Sequence, residues 1–94
     1  MKTESRLEKV LASGQLAVTS EVGPPRGCNV DVIKEKANMI KDYVDGINIT
    51  DNQTAMVRMS SIAGGIVIKQ MGLDPIIQMV SRDRNRLAMQ SDIL

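Results

Sequence analysis

Apolar residues along the chain switch between two spacings. The stretch "LAVTSE" (16–21) is short, apolar and closed by Gly23 and a double proline, which predicts a strand. In "VDVIKEKANMIKDYV" (30–44), Ile33, Ala37, Ile40 and Val44 recur at helical spacing, and Asp31 is the expected N-cap. Gly46 then opens a second strand, "INIT" (47–50). Residues 51–71 place Met56, Met59, Ala63, Ile66 and Val67 on one helical face, with Thr54 as the expected cap. Gly64 and Gly65 weaken that helix by about 1 kcal/mol each relative to alanine, and Gly72 suits its C-terminal turn. "PIIQMV" (75–80) predicts a third strand, with Pro75 tolerable at its first position. "RNRLAMQSDIL" (84–94) predicts a further helix, capped by Ser81 or Asp83, and a short helix over about 4–13, closed by Gly14, precedes the series.

The pattern is therefore one short helix followed by three βα units. The expected strand ends, Glu21, Thr50 and Gln78, lie 29 and 28 residues apart. Strands alternating with helices of this length pair in parallel through crossovers. A doubly wound sheet would carry a glycine-rich phosphate turn after an early strand. The turn "EVGPPRG" has glycines, but its prolines remove amide donors, and there is no Walker-type motif. A (β/α)8 barrel uses repeats of this size and gathers its chemistry at the C-terminal ends of the strands, where the polar residues sit here. The expected fold class is α/β, the N-terminal part of a TIM barrel.

Period two assigns the faces. Ile47 and Ile49 should meet the covering helices, so Asn48 and Thr50 point inward. By analogy Glu21 and Gln78 also point inward, which gathers Glu21, Thr50 and Gln78 around one mouth.

Composition narrows the chemistry. At 94 residues the chain is at most one small domain or part of a larger one. Twelve basic against eleven acidic residues give no electrostatic footprint for nucleic acid or an anionic membrane, and the single aromatic residue, Tyr43, offers no stacking platform. With no histidine and one cysteine, Cys28, these residues form neither an imidazole triad nor a zinc cluster. The start "MKTESRLEKVLA" has no apolar core of a signal peptide and reads as cytoplasmic, and no run approaches the roughly 20 apolar residues of a spanning helix.

Within the mouth, Glu21 is either a solvated carboxylate, alone or paired with Arg26, or a general acid kept protonated by burial beneath a flat ligand. Thr50 offers a hydroxyl. Asp51 or Asn52 suits a local turn, and Gln78 can donate and accept along a ring edge. The cluster "SRDRNR" (81–86) is a solvated helix start or a contact for a phosphate or carboxylate tail. The methionines read as core filler, and Cys28 has no neighbouring base in sequence.

Three ordered stretches, "TSEVGPPRG", "GINITDNQTAMVRMSS" and "PIIQMVSRDRNRLAMQSDIL", together resemble the N-terminal portion of methylenetetrahydrofolate reductase, from about residue 6 to the last residue. The resemblance implies a (β/α)8 barrel holding a flavin, FAD in most members and FMN as the variant. The electron donor would be NAD(P)H or another reductant, and the folate substrate would be reduced from the methylene to the methyl level in one-carbon metabolism. It implies that Glu21 is the general acid that helps open the folate's five-membered ring, and that Thr50 touches the flavin. Gln78 falls where some relatives have a histidine near the flavin, and there it would serve cofactor and substrate. A homo-oligomer or an accessory electron-transfer subunit would accompany the intact enzyme.

A complete barrel needs about 250 residues, so residues 1–94 are expected to be an incomplete barrel that holds flavin weakly or not at all. Two other readings stand beside the reductase. One is a different barrel enzyme with a general-acid glutamate, aldolase-like or pterin-related; none of the three strands carries the lysine an aldolase needs. The other is a non-catalytic half-barrel that assembles with a partner chain.

Overall fold

The computed structural model describes residues 3–94. Its elements run α1 (Arg6–Ala12), β1 (Thr19–Val22), α2 (Asp31–Ile40), β2 (Gly46–Ile49), α3 (Ser61–Gln70), β3 (Pro75–Ile77) and α4 (Arg86–Ile93), with 3₁₀ turns at Gln53–Ala55 and Ser81–Asp83. The three strands form one parallel sheet in sequential order. Glu21 pairs with Asn48, and Asn48 with Ile76.

Helices cover one face of this sheet. Val22, Ile47 and Ile49 are buried there against Ile33 and Ala37 of α2 and Val67 and Ile68 of α3. Ile47 and Ile49 thus meet the helices as their alternation predicts. Residues in register on a parallel sheet share a face, so Glu21, Asn48 and Ile76 lie together on the side away from that core.

Several boundaries differ from the sequence expectation, each for a local reason. The helix expected over 51–71 begins only at Ser61. The Ser60 hydroxyl caps it by accepting from the Ile62 amide, so Thr54 is not its cap. Residues 52–55 instead turn through left-handed backbone at Asn52, Thr54 and Ala55. The buried face of α3 is also rotated from the one expected: Ile66 is 53% exposed and Met56, in the loop before the helix, is 38% exposed. The buried residues of α3 are Ser61, Gly64, Gly65, Val67 and Ile68, so of the expected face Val67 does meet the core.

The two glycines are the reason. A Cβ on Gly64 would stand 3.0 Å from Ile49 Cγ2, and one on Gly65 would stand 2.8 Å from Ile77. The residues that weaken the helix in isolation let it lie close on the sheet.

Elsewhere β1 starts at Thr19, not at 16, and β3 is only three residues long. Asp31 is the first residue of α2; Val30 is its N-cap, without a side-chain bond. The last helix is capped by Asn85, whose Oδ1 accepts from the Ala88 amide, rather than by Ser81 or Asp83. Gly14 and Gly72 take the left-handed backbone that ends α1 and α3, as their positions predict.

The opening helix closes the N-terminal end of the sheet. Ser5 Oγ accepts from the Glu8 amide and Glu8 accepts from the Thr3 and Glu4 amides, a capping arrangement that starts α1. Leu7 then reaches the place where Gly46 has no side chain, beside Ile76. Two carboxylates at strand entrances hold the helix. Asp74 accepts from the Arg6 amide at 2.6 Å, and Asp45 accepts from Arg6 Nε at 3.1 Å and from the Val18 amide at 3.0 Å. The Val18 amide and the Arg6 guanidinium together hold the Asp45 carboxyl below its usual range.

Candidate functional site at the C-terminal strand ends

The register fixes how the expected site residues stand relative to one another. Glu21 is level with Asn48, not with Thr50. The Gln78 amide donates to the Ile49 carbonyl at 3.1 Å, carrying the β2–β3 ladder one residue beyond the strand ends. Thr50 and Gln78 therefore form a layer one two-residue step, about 7 Å, beyond Glu21, Asn48 and Ile76. Gly23 occupies the β1 place in that outer layer, since a Cβ there would stand 3.6 Å from Thr50 Oγ1. All three expected residues share the helix-free side by alternation, but their strand ends are not level. Equal spacing in sequence conceals this, because β1 and β2 pair with an offset two residues shorter than the Glu21–Thr50 separation.

The environments of the three differ. Glu21 is exposed, and among the described residues it forms no ion pair with Arg26 or any other cation. Thr50 is 5% exposed, and its hydroxyl is buried without a hydrogen-bond partner among the described residues. Gln78 is exposed; its carbonyl accepts from the Ser61 hydroxyl at 2.7 Å, which ties the end of β3 to the start of α3. Asn48, beside Glu21, has its amide fixed by donation from Nδ2 to the Ser20 carbonyl at 3.2 Å.

Two loops meet at this end of the sheet and are clamped together. The Met59 amide donates to the Pro25 carbonyl at 2.8 Å, and Arg58 Nη1 donates to the Pro24 carbonyl at 3.2 Å. The Arg58 amide in turn donates to Asn52 Oδ1 at 3.0 Å. Pro24 is buried on the helix-covered side, toward Gly64 of α3, so the double proline after Glu21 is held in place.

Asp51 has a larger part than the turn role its position suggests. It is 2% exposed, accepts from the Val80 amide at 2.9 Å and pairs with Arg84 Nη2 at 2.9 Å. Arg84 also lies 3.4 Å from Asp92 of α4. Of the arginines in "SRDRNR", Arg84 is thus a structural anchor, while Arg82 pairs with the neighbouring Asp83 and donates to the Asn52 carbonyl. The Arg82 guanidinium holds the Asp83 carboxyl below its usual range. A carboxylate and an arginine 33 residues apart give no local signal in sequence. The roles of Gly23 and Arg58 likewise become visible only once the loops meet.

Other parts of the surface are chemically quiet. Cys28 is exposed and free. Among the described residues no cluster of carboxylate and thiol ligands could hold a metal ion, and no helix is long and apolar enough to cross a membrane. A cavity of about 80 Å³ lies at the opposite end of the strands, among Arg6, Lys41, Asp45, Gly46 and Asp74, and belongs to the seat of α1.

The site therefore combines an unpaired carboxylate, a fixed amide beside it, a buried hydroxyl with no partner and an exposed amide, all toward one side of a parallel sheet. Comparison with protein-family models, curated proteins and solved structures finds no match to this chain.

Proposed function

We propose that these three βα units are an arc of a (β/α)8 barrel, and that the barrel is a flavin-dependent methylenetetrahydrofolate reductase in which Glu21 is the general acid. Sequential strand order with both connecting helices on one face fits the barrel. A βαβαβ half of a doubly wound sheet has the same order and the same one-sided helices, so the choice of the barrel rests on the resemblance and on the polar strand ends. The uncovered side then corresponds to a barrel interior, with its chemistry at the end where Glu21, Thr50 and Gln78 lie.

The observation that carries the functional reading is the Thr50 hydroxyl. A buried hydroxyl without a partner is costly, by about 1–3 kcal/mol, and here it sits at the mouth, one layer above an unpaired carboxylate. The residues present suit a flavin: Thr50 and Gln78 offer hydrogen-bonding groups for a planar ring edge. When bound, the flavin supplies the hydride that reduces the folate. Glu21 holds the proton for the folate nitrogen released as the five-membered ring opens. Its exposure lets it take that proton from solvent, and a ligand lying over it excludes water during the transfer. FAD, with FMN as the alternative, follows the same resemblance, and a cytoplasmic location is proposed with it.

The test uses a polypeptide that carries residues 1–94 together with the further βα units. It should purify with a visible flavin spectrum, and anaerobic addition of methylenetetrahydrofolate to the reduced protein should restore the oxidised band. A colourless protein, or a flavin not reoxidised by the folate, contradicts the proposal. The 94-residue chain alone should carry no stoichiometric flavin band after purification.

A further inference from the structure

Gly23 lies in the outer layer of the mouth, and the space its side chain would occupy borders two polar groups. A Cβ built there stands 3.6 Å from Thr50 Oγ1 and 3.8 Å from Gln53 Oε1. Neither distance is a clash, so a methyl group would fit, and the backbone of Gly23 is not in the left-handed region. The glycine is thus required neither by a turn nor by crowding. What it does is leave a gap between a hydroxyl and an amide oxygen.

Both groups have a reason to be reached from that gap. The Thr50 hydroxyl is more than nine-tenths buried and unpartnered. Gln53 is exposed, and its side chain makes no hydrogen bond among the described residues. Gln53 sits in the turn in which Asn52, Thr54 and Ala55 all hold left-handed backbone.

We infer that Gly23 is a specificity-determining position. By carrying no side chain it admits the polar edge of a planar heterocycle, which accepts from the Thr50 hydroxyl and donates to the Gln53 amide oxygen. The ligand class we assign is a lactam edge, an N–H beside a C=O, which complements a hydroxyl that can donate and a side-chain amide that can accept. Flavins and pterins both carry such an edge. The inference deepens the reductase reading and rests on it only for the choice between those two sources.

The experiment follows ¹⁵N- and methyl-labelled 94-residue chain by NMR during titration to millimolar FMN, and separately to millimolar folic acid. Wild type, Gly23→Ala and Thr50→Val are compared, with the melting temperature of each measured first. Gly23→Ala should melt with wild type. Thr50→Val should melt no lower, because the hydroxyl it removes has no partner among the described residues. At least one ligand should shift the Gly23 amide and Thr50 methyl resonances of wild type, and both variants should weaken that response about tenfold.

A fall of about 5 °C or more in Thr50→Val overturns the inference, because the hydroxyl then has a partner within the protein. So does a Gly23→Ala response equal to wild type, or an absence of shifts at residues 23 and 50 with both ligands. If folic acid shifts these resonances and FMN does not, the gap stands and the flavin assignment of Thr50 fails. If FMN binds with residues 23 and 50 unmoved, the gap fails and the flavin reading survives.

Discussion

At the scale of single residues, the chain separates groups that hold the fold from groups left free. Asp51 and Arg84 belong to the first kind. Both are largely buried and paired through Arg84 Nη2 and Asp51 Oδ1, so removing one partner strands a charge. Asp51→Ala should cost about 3 kcal/mol, read as a lowered midpoint in urea denaturation; an unchanged midpoint would show that the pair is idle. Glu21 and Thr50 belong to the second kind, since neither has a side-chain partner to lose. The polarity of Glu21, Thr50 and Gln78 and their common side were legible in the alternation of the strands. Their levels were not, because register depends on how two strands pair and neither strand encodes that alone. Asp51, Gly23 and Arg58 were hidden for a related reason: each acts through a partner on another loop.

At the scale of elements, the α3–sheet contact shows helix propensity overridden by packing. Isolated, Gly64→Ala should gain about 1 kcal/mol of helix stability. In the fold its new methyl group meets Ile49, which is fully buried and cannot step aside, so a net loss of about 1–2 kcal/mol is expected. Gly65→Ala meets Ile77, which is 45% exposed and can rotate away. Its loss should be smaller despite the shorter initial distance. Thermal unfolding of the two variants checks the order, and a reversed order would mean that the close approach is not what the glycines serve. The same contact explains why the amphipathic pattern over 51–71 misplaced the helix. Its methionines lie in a loop held by Pro25 and Asn52, and its packing face is marked by small residues that a hydrophobic stripe does not register.

The opening helix makes a separate prediction. Asp45 holds α1 through the Val18 amide and the Arg6 guanidinium, and its carboxyl lies below the usual range. A depressed carboxylate stabilises above its ordinary pKa and loses that contribution as pH falls through the folded value. The α1 amide resonances should therefore be independent of pH near neutrality and shift toward those of a released helix only under acid conditions. In Asp45→Asn that acid step should shrink. An acid step of undiminished size in the variant would assign the latch to another group, with Glu8, whose carboxyl the Thr3 hydroxyl and amide hold below its usual range, the first to examine.

At the scale of the whole molecule, one side of a three-stranded parallel sheet is covered by α2 and α3, and its N-terminal end is closed by α1. The opposite side holds Glu21, Asn48, Thr50 and Gln78 toward the other end, where two interlocked loops meet. The alternation of strands and helices, the parallel pairing and the helix-facing role of Ile47 and Ile49 were all readable in advance, because they depend on periodicity alone. The proposal built on them is that this arrangement is an arc of a reductase barrel with Glu21 as its proton donor.

The most direct measurement compares two half-reactions in the flavin-loaded protein carrying Glu21→Gln. Reduction of the flavin by its electron donor should proceed at the wild-type rate, because no proton from residue 21 is needed there. Reoxidation by methylenetetrahydrofolate should slow by about 10²–10⁴-fold. If reoxidation keeps its wild-type rate, Glu21 is not the acid and the catalytic assignment fails.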